Sequence, residues 1–312
     1  MPELPEVEYT ARQLRATIVG TSIQEVHVFW ERTIRYVNGD PGLHNFCAEI
    51  VGRRIEAVRR RGKFLLLDLN GGLFLSIHRR MTGNFLLLPP GWLIDTSLRE
   101  TDPATWKTRG PTFLPQAPCN TAYSHEAAYC RVCFDLQDGR RLLYTDPRKF
   151  GRIELWPHER EDEALKGLGP EPLGEEFTVE HFAVELSKRK SGIKQVLLDQ
   201  SVVAGVGNIY ADEALFYAGI HPLRRANSLN TGEIEILRKG VVEVLTLGIE
   251  HGGTSFNDYR DLWGEAGDNF NHVHVYQQDG KPCTRCGTLI ERSVIAQRSS
   301  HFCPTCQPLT VE

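Results

Sequence analysis

The sequence predicts an α+β chain of several domains: an N-terminal β-sandwich with a flanking N-terminal helix, a helical domain, and a C-terminal β-hairpin carrying cysteines. Three observations predict it. A length of 312 residues, at roughly 100–200 per domain, asks for about two domains. The apolar texture changes near Trp156 from short runs to helical spacing. Cys283-x2-Cys286 and Cys303-x2-Cys306, sixteen residues apart, have the spacing of a four-thiolate zinc site.

Val7, Leu14 and Ile18 recur with helical drift, so residues 4–19 read as the first helix. Short runs follow at Ile23–Phe29, Arg54–Val58, Phe64–Leu69, Leu73–Ile77, Phe85–Leu88, Val132–Leu136 and Arg141–Tyr144. Asn70-Gly71-Gly72, Pro89-Pro90-Gly91 and Asp138-Gly139 separate them with the turn chemistry of antiparallel strands. Residues 91–122, rich in Pro, Thr and Asp and without periodicity, read as a long surface loop. The expected boundaries are 2–157 for the sandwich, 158–175 for an acidic Gly-Pro linker, 176–271 for the helical domain and 272–312 for the cysteine finger. Helices are expected at Val179–Arg189, Gly192–Gln200, Ile209–Ala218 and Gly232–Glu250. In the finger, strands Leu289–Ile295 and Ser300–Phe302 flank an Ala296-Gln297-Arg298 turn.

Hydrophobic residues at 41% and charged residues at 24% exclude wholesale disorder. No apolar run approaches the roughly 18 residues of a membrane span. Acidic residues at Glu3, Glu6 and Glu8 stand where a secretory signal carries basic ones, so the expected location is the cytosol. A net charge of −4, from 36 Lys+Arg against 40 Asp+Glu, speaks against a nucleic-acid partner, but the charges are segregated. Arg59-Arg60-Arg61-x-Lys63, Arg79-Arg80, Arg148-Lys149, Lys188-Arg189-Lys190 and Arg224-Arg225 form basic clusters able to present a positive face on an acidic molecule.

Cys130-x2-Cys133 lies in a strand-like stretch, where residues three apart point to opposite faces, so it is not read as a metal pair. Cys47 and Cys119 read as packing or loop thiols. Gly205-x-Gly207 lacks the third glycine of a dinucleotide fingerprint, since Tyr210 occupies its place. It reads instead as a turn into a helix whose free N–H groups, with the Asn208 amide, would hold an anion such as a DNA phosphate.

Seven segments in order carry a resemblance. Pro2-Glu3-Leu4-Pro5-Glu6-Val7-Glu8 resembles the start of bacterial formamidopyrimidine-DNA glycosylases, and the likeness continues through Arg61-Gly62-Lys63-Phe64, Ile77-His78-Arg79-Arg80-Met81-Thr82-Gly83 and Tyr144-Thr145-Asp146-Pro147-Arg148-Lys149-Phe150-Gly151. It runs on through Leu168-Gly169-Pro170-Glu171-Pro172-Leu173, Gly205-Val206-Gly207-Asn208-Ile209-Tyr210-Ala211 and Gly219-Ile220-His221-Pro222 to the cysteine hairpin with Arg298. The resemblance implies a helix-two-turns-helix element in the helical domain and one structural Zn²⁺ on Cys283, Cys286, Cys303 and Cys306. The partner it implies is double-stranded DNA with oxidised bases or abasic sites, bound by a monomer without any membrane.

The implied chemistry is that of a bifunctional glycosylase and AP lyase for oxidised purines. Removal of Met1 would free the secondary amine of Pro2 to attack C1′, displace the base and leave a Schiff base. An α-amine, with a reference pKa of about 7.7–8.0, is partly neutral at cellular pH. Glu3 is then the general acid. Lys63 resembles the lysine of β-elimination and Arg298 the finger arginine of δ-elimination; both serve equally well as phosphate clamps. Glu6 reads as a second acid or as a helix N-terminal charge. Met81 and Phe150 resemble the wedge that fills the hole left by an everted base, with Arg148 at the orphaned partner. His78, Arg189, Lys194 and Asn208 are the remaining expected DNA contacts.

Three departures stand out. Arg79 replaces the usual leucine and would add a cation near the wedge, Tyr129 replaces a DNA-contacting histidine with His125 four residues away, and residues 91–122 are longer than the usual connection. Two rival readings are an endonuclease VIII-like enzyme for oxidised pyrimidines, against which Leu4 speaks, and a non-catalytic zinc-ribbon protein that binds damaged DNA.

Overall fold

The computed structural model describes residues 1–37, 43–115, 127–255 and 259–309. Cys119 and His125 lie outside the described residues. The chain forms two compact units, one of Met1–Pro2, Glu6–Lys166 and Thr254–Gly267, the other of Glu3–Pro5, Gly167–Gly253 and Asp268–Glu312.

Helix α1 (Leu4–Ile18) buries Val7, Ala11, Leu14 and Ile18, a single stripe at helical spacing. The strands of the first unit are β1 (Ile23–Val28), β2 (Ile34–Tyr36), β3 (Ile55–Arg61), β4 (Phe64–Leu69), β5 (Leu73–His78), β6 (Asn84–Leu88), β7 (Trp92–Asp95), β8 (Thr112–Pro115), β9 (Cys130–Leu136), β10 (Arg141–Thr145) and β11 (Arg152–Pro157). They build a four-stranded sheet in the order β1-β9-β10-β6 and a five-stranded sheet in the order β2-β11-β5-β4-β3. Val132, Phe134, Leu142, Phe85 and Leu87 from the first sheet share one core with Leu65, Leu67, Leu75, Ile77 and Ile153 from the second, as expected of a sandwich. Segment Thr254–Gly267 adds Leu262 to that core.

Residues 91–115 are not an unstructured loop. They form the β7–β8 hairpin and two short helices, α3 (Leu98–Thr101) and α4 (Pro103–Thr108), the latter capped by Asp102. The reason lies in the first sheet, whose outer face carries Leu86, Leu88, Cys130, Cys133 and Leu143; Trp92 and Phe113 cover it. Apolar runs such as Phe85–Leu88 leave neither sheet face polar, so something must shield both.

Cys130 and Cys133 share that outer face, against the alternation expected of them. The β9–β10 register slips between Tyr144 and Thr145, which leaves Arg131 as an extra residue and restores Cys130 to the side of Cys133. Both thiols are buried, and burial raises their pKa values well above the ordinary range.

The second unit contains α6 (Val179–Ser187), α7 (Ile193–Leu197), α8 (Asn208–Ala218) and α9 (Thr231–Glu250), preceded in the chain by the one-turn α5 (Glu161–Ala164) of the first unit. Thr178 caps α6, and Asn230 with Glu233 forms a capping box on α9. Helix α8 is buried from Ile209 to Phe216 on all sides. The unit closes with β12 (Glu291–Ile295) and β13 (Arg298–Phe302). Ala296 and Gln297 both take positive φ and form a two-residue turn, so Arg298 opens the second strand opposite Ile295 rather than belonging to the turn.

Candidate active site and zinc centre

Glu3 is 2% exposed, and its carboxylate sits at the N-terminus of α8. Oε1 accepts the Ile209 N–H at 3.1 Å, and Oε2 lies 3.5 Å from the Tyr210 nitrogen. Leu4 donates its N–H to the Gly205 carbonyl at 3.1 Å. The glycines explain themselves by this contact: a Cβ on Gly207 would stand 2.2 Å from the Glu3 carboxyl carbon, and one on Gly205, whose φ is +88°, would meet Leu4 at 2.6 Å. The anion expected at this turn is therefore supplied by the protein itself, not by a phosphate. The Asn208 amide is likewise engaged, donating to the Ser299 carbonyl at 3.0 Å. Gly207→Ala is expected to push Glu3 off the helix, at a cost of about 1–3 kcal/mol. A melting temperature and base-excision rate equal to those of the parent would contradict it. Pro2, the residue before Glu3, is buried, while Met1 is 39% exposed.

In the first unit, Lys63 lies in the β3–β4 turn and is 8% exposed. Phe64 pairs with His78 across β4 and β5, and the two rings meet edge to face at 4.7 Å. Burial, with Arg80 and Lys63 nearby, pushes the His78 pKa down to about 3. Its Nδ1 accepts the Arg80 N–H at 3.0 Å, so neutral His78 presents Nε2–H as a donor. Met81 and Phe150 are exposed at 36% and 52%, which removes the core role that each would have on its own. Arg148 lies over the Phe150 ring at 4.9 Å.

One buried carboxylate holds both loops. Asp146 accepts the Thr82 hydroxyl and the Arg148 N–H (3.2 Å) on Oδ1, and the Gly151 N–H (2.8 Å) on Oδ2. The Tyr144 hydroxyl fills the space where a Cβ on Gly83 or Gly151 would be. The apolar tips are thus carried on a braced platform.

In the second unit Arg298 is exposed and lines a polar cavity of about 550 Å³ with Asn208, Tyr276, Asp279, Arg292 and His301. Lys194 does not reach a surface. It is 0% exposed, paired to Asp212 Oδ1 at 2.7 Å, and donates to the same Ser299 carbonyl that Asn208 holds, at 2.7 Å. Burial lowers its pKa, opposed by Asp212. Its ammonium braces the strand beside Arg298 instead of standing ready for a phosphate.

The basic clusters are largely neutralised from within. Arg59 is held by Asp68 and Glu161, Arg60 by Glu8, Lys188 and Arg189 by Glu185, and Arg224 by Glu233. Arg79 is no additional surface cation: at 1% exposure it donates to the Thr10 hydroxyl at 2.9 Å and lies over the Tyr259 ring at 5.4 Å. Glu6 is equally buried and accepts the Thr254 N–H at 2.7 Å, so it ties down the 254–267 segment. Arg80, Arg148 and Arg298 remain exposed.

The four finger thiols gather as their spacing predicts. All four sulfurs lie within 4.8 Å of one another, with Cys286 and Cys303 at 3.5 Å and Cys283 and Cys306 at 3.9 Å. Thiolates about 2.3 Å from a tetrahedral zinc stand roughly 3.8 Å apart, so the set fits the ion. Two α8 carboxylates, unremarked in the sequence reading, anchor this finger. Asp212 accepts from the Ser300 hydroxyl and the His301 N–H, while Glu213 takes the N–H groups of His274, Val275 and Tyr276 at 2.8–2.9 Å. Their signal was two adjacent charges inside an otherwise apolar helix. One zinc per chain is expected, and chelation is expected to unfold the hairpin and abolish DNA binding. Active protein free of zinc by metal analysis would contradict this.

Comparison with known proteins agrees with the geometry. Residues 1–153 match the formamidopyrimidine-DNA glycosylase N-terminal domain, 168–260 its H2TH domain, and 280–309 the zinc finger found in FPG and IleRS. The formamidopyrimidine-DNA glycosylase of Lactiplantibacillus plantarum is 39% identical over 99% of this chain and 100% of its own length. A Lactococcus lactis FPG mutant bound to Fapy-dG-containing DNA superposes with a TM-score of 0.81 at 33% identity, covering 99% of this chain and 100% of that one. The Lactococcus lactis Fpg complex with abasic-site DNA gives 0.81 at 32%, covering 98% and 100%. The sandwich, the braced loops, the clamped N-terminal glutamate and the four-thiolate finger are thus shared features, and the chain belongs to the formamidopyrimidine-DNA glycosylase family.

Proposed function

We propose that this protein excises oxidised purines, 8-oxoguanine and formamidopyrimidines, from duplex DNA in the bacterial cytosol and cleaves the abasic strand by β,δ-elimination. The observation that carries the reading is the buried N-terminus: Glu3 is locked onto α8 through Gly207 and Ile209, which fixes the residue next to Pro2. Such an arrangement gives a terminal amine what a frayed terminus lacks, a fixed position from which to attack.

After loss of Met1, the Pro2 nitrogen attacks C1′ and the base departs with the glycosidic electron pair, taking up a proton. The resulting iminium acidifies the C2′ proton, whose removal expels the 3′ phosphate; a second elimination expels the 5′ phosphate. Glu3 acts as general acid in base removal, and Lys63 and Arg298 stabilise or serve the two eliminations. Met81 and Phe150 fill the vacated stack, and Arg148 addresses the orphaned base. His78 and Asn208 contact the backbone, and Arg189 acts there once released from Glu185.

Two assays test the reading. A duplex with 8-oxoguanine opposite cytosine should yield free base and a gap with phosphate at both ends; preference for an oxidised pyrimidine, or binding without cleavage, would favour the rival readings. Binding should also weaken with salt, with a slope of about −0.9 per phosphate neutralised. Arg148→Ala and Arg298→Ala should each reduce the slope by about 1, whereas Lys194→Met should leave it unchanged because that charge is spent on Asp212. An unchanged slope in both arginine variants would contradict the assignment.

A further inference from the structure

A second cluster of metal-binding side chains lies away from the cysteine finger. His251 ends α9, and Asp268 and His272 flank the short turn that follows the 254–267 segment. Their ligand atoms all lie within 4.8 Å of one another. The two imidazoles stack at 3.6 Å between centroids with 12° between planes, and His272 Nε2 lies 3.1 Å from Asp268 Oδ2. The other oxygen of Asp268 accepts the Asn271 amide at 2.6 Å, which orients the carboxylate. Its backbone N–H is held by the His251 carbonyl at 2.9 Å.

From this geometry we propose that His251, Asp268 and His272 form a second divalent-cation site of the zinc or nickel class. Two imidazoles in face-to-face contact cannot both carry a proton without placing like charges side by side, so at least one nitrogen lone pair is available. Among the described residues Asp268 has no lysine or arginine within ion-pair distance; its partner is His272. Two imidazole nitrogens and one carboxylate oxygen are the donor set of borderline divalent ions, with coordination positions left for water. A metal bound here joins the end of α9 to the residues that resume the second unit. It therefore clips the base of the Thr254–Gly267 segment, which supplies Tyr259 beside Arg79 and Leu262 to the sandwich core. Closing that loop lowers the entropy of the unfolded chain.

Untagged protein that retains its cysteine-bound zinc is titrated with Ni²⁺ by calorimetry, with zinc content measured in parallel. One Ni²⁺ per chain is expected while zinc stays at one. His251→Gln and His272→Gln should each weaken nickel binding at least about tenfold. Nickel should raise the melting temperature of the parent but of neither variant. His27→Gln, which alters the separate Glu25, His27 and Asp135 cluster, should bind as the parent does. In the parent, paramagnetic Ni²⁺ should broaden the His251 and His272 ring resonances first, a readout that needs no variant. Absence of saturable binding, binding unchanged in both histidine variants, loss in His27→Gln, or broadening centred elsewhere would overturn the site.

Discussion

Protein that retains Met1, or carries one residue added before Pro2, is expected to lose base excision and strand cleavage together, down to the uncatalysed background. An acylated Pro2 nitrogen has no lone pair for C1′ and cannot become an iminium, so both half-reactions lose their common intermediate. The fold should not change with it. Met1 is already exposed, Glu3 remains clamped by Ile209, and the finger is anchored independently through Asp212 and Glu213. Melting temperature, zinc content and DNA affinity should therefore match those of processed protein, and a blocked enzyme that still cuts would show that another nucleophile operates.

The second large effect separates the two half-reactions. Glu3→Gln keeps the Pro2 amine and much of the side-chain shape, but removes the group that supplies a proton during base departure. Excision of intact 8-oxoguanine should fall by about 10²–10⁴-fold, the usual worth of a positioned general acid. Cleavage at a preformed abasic site, where no base has to leave, should fall far less. The amide nitrogen would also face the Ile209 N–H unless the glutamine turns its oxygen toward it, so the variant's melting temperature reads out the structural part of the loss. Equal losses on both substrates would reassign Glu3 to holding the N-terminus alone.

Much of the fold was legible because period-two runs and turn residues repeat through the first half of the chain. Helix α1 and strands β4 to β6 lie within a residue of where their patterns put them. The β7–β8 hairpin escaped because four-residue strands carry no periodicity, and the reason for its existence, the bare outer face of β6, β9 and β10, is a tertiary fact. The Arg131 bulge escaped for a similar reason: a register slip has no local signature beyond a buried arginine that donates to the Thr108 and Arg109 carbonyls. Charges were hardest to read. Lys194 and Arg79 look like DNA-facing cations in one dimension, and only packing shows that Asp212 and Thr10 take them up. The zinc ligands were the easiest, since four thiols at that spacing have few other uses in a reducing compartment.

The central claim is that the N-terminal proline is the nucleophile, and covalent trapping tests it most directly. Processed enzyme incubated with an 8-oxoguanine duplex and borohydride should form one stable protein–DNA adduct, as reduction of the iminium fixes the carbon–nitrogen bond. Proteolysis and mass spectrometry should place that adduct on the peptide beginning at Pro2. An adduct on Lys63, or cleavage without any trapped species, would contradict the account.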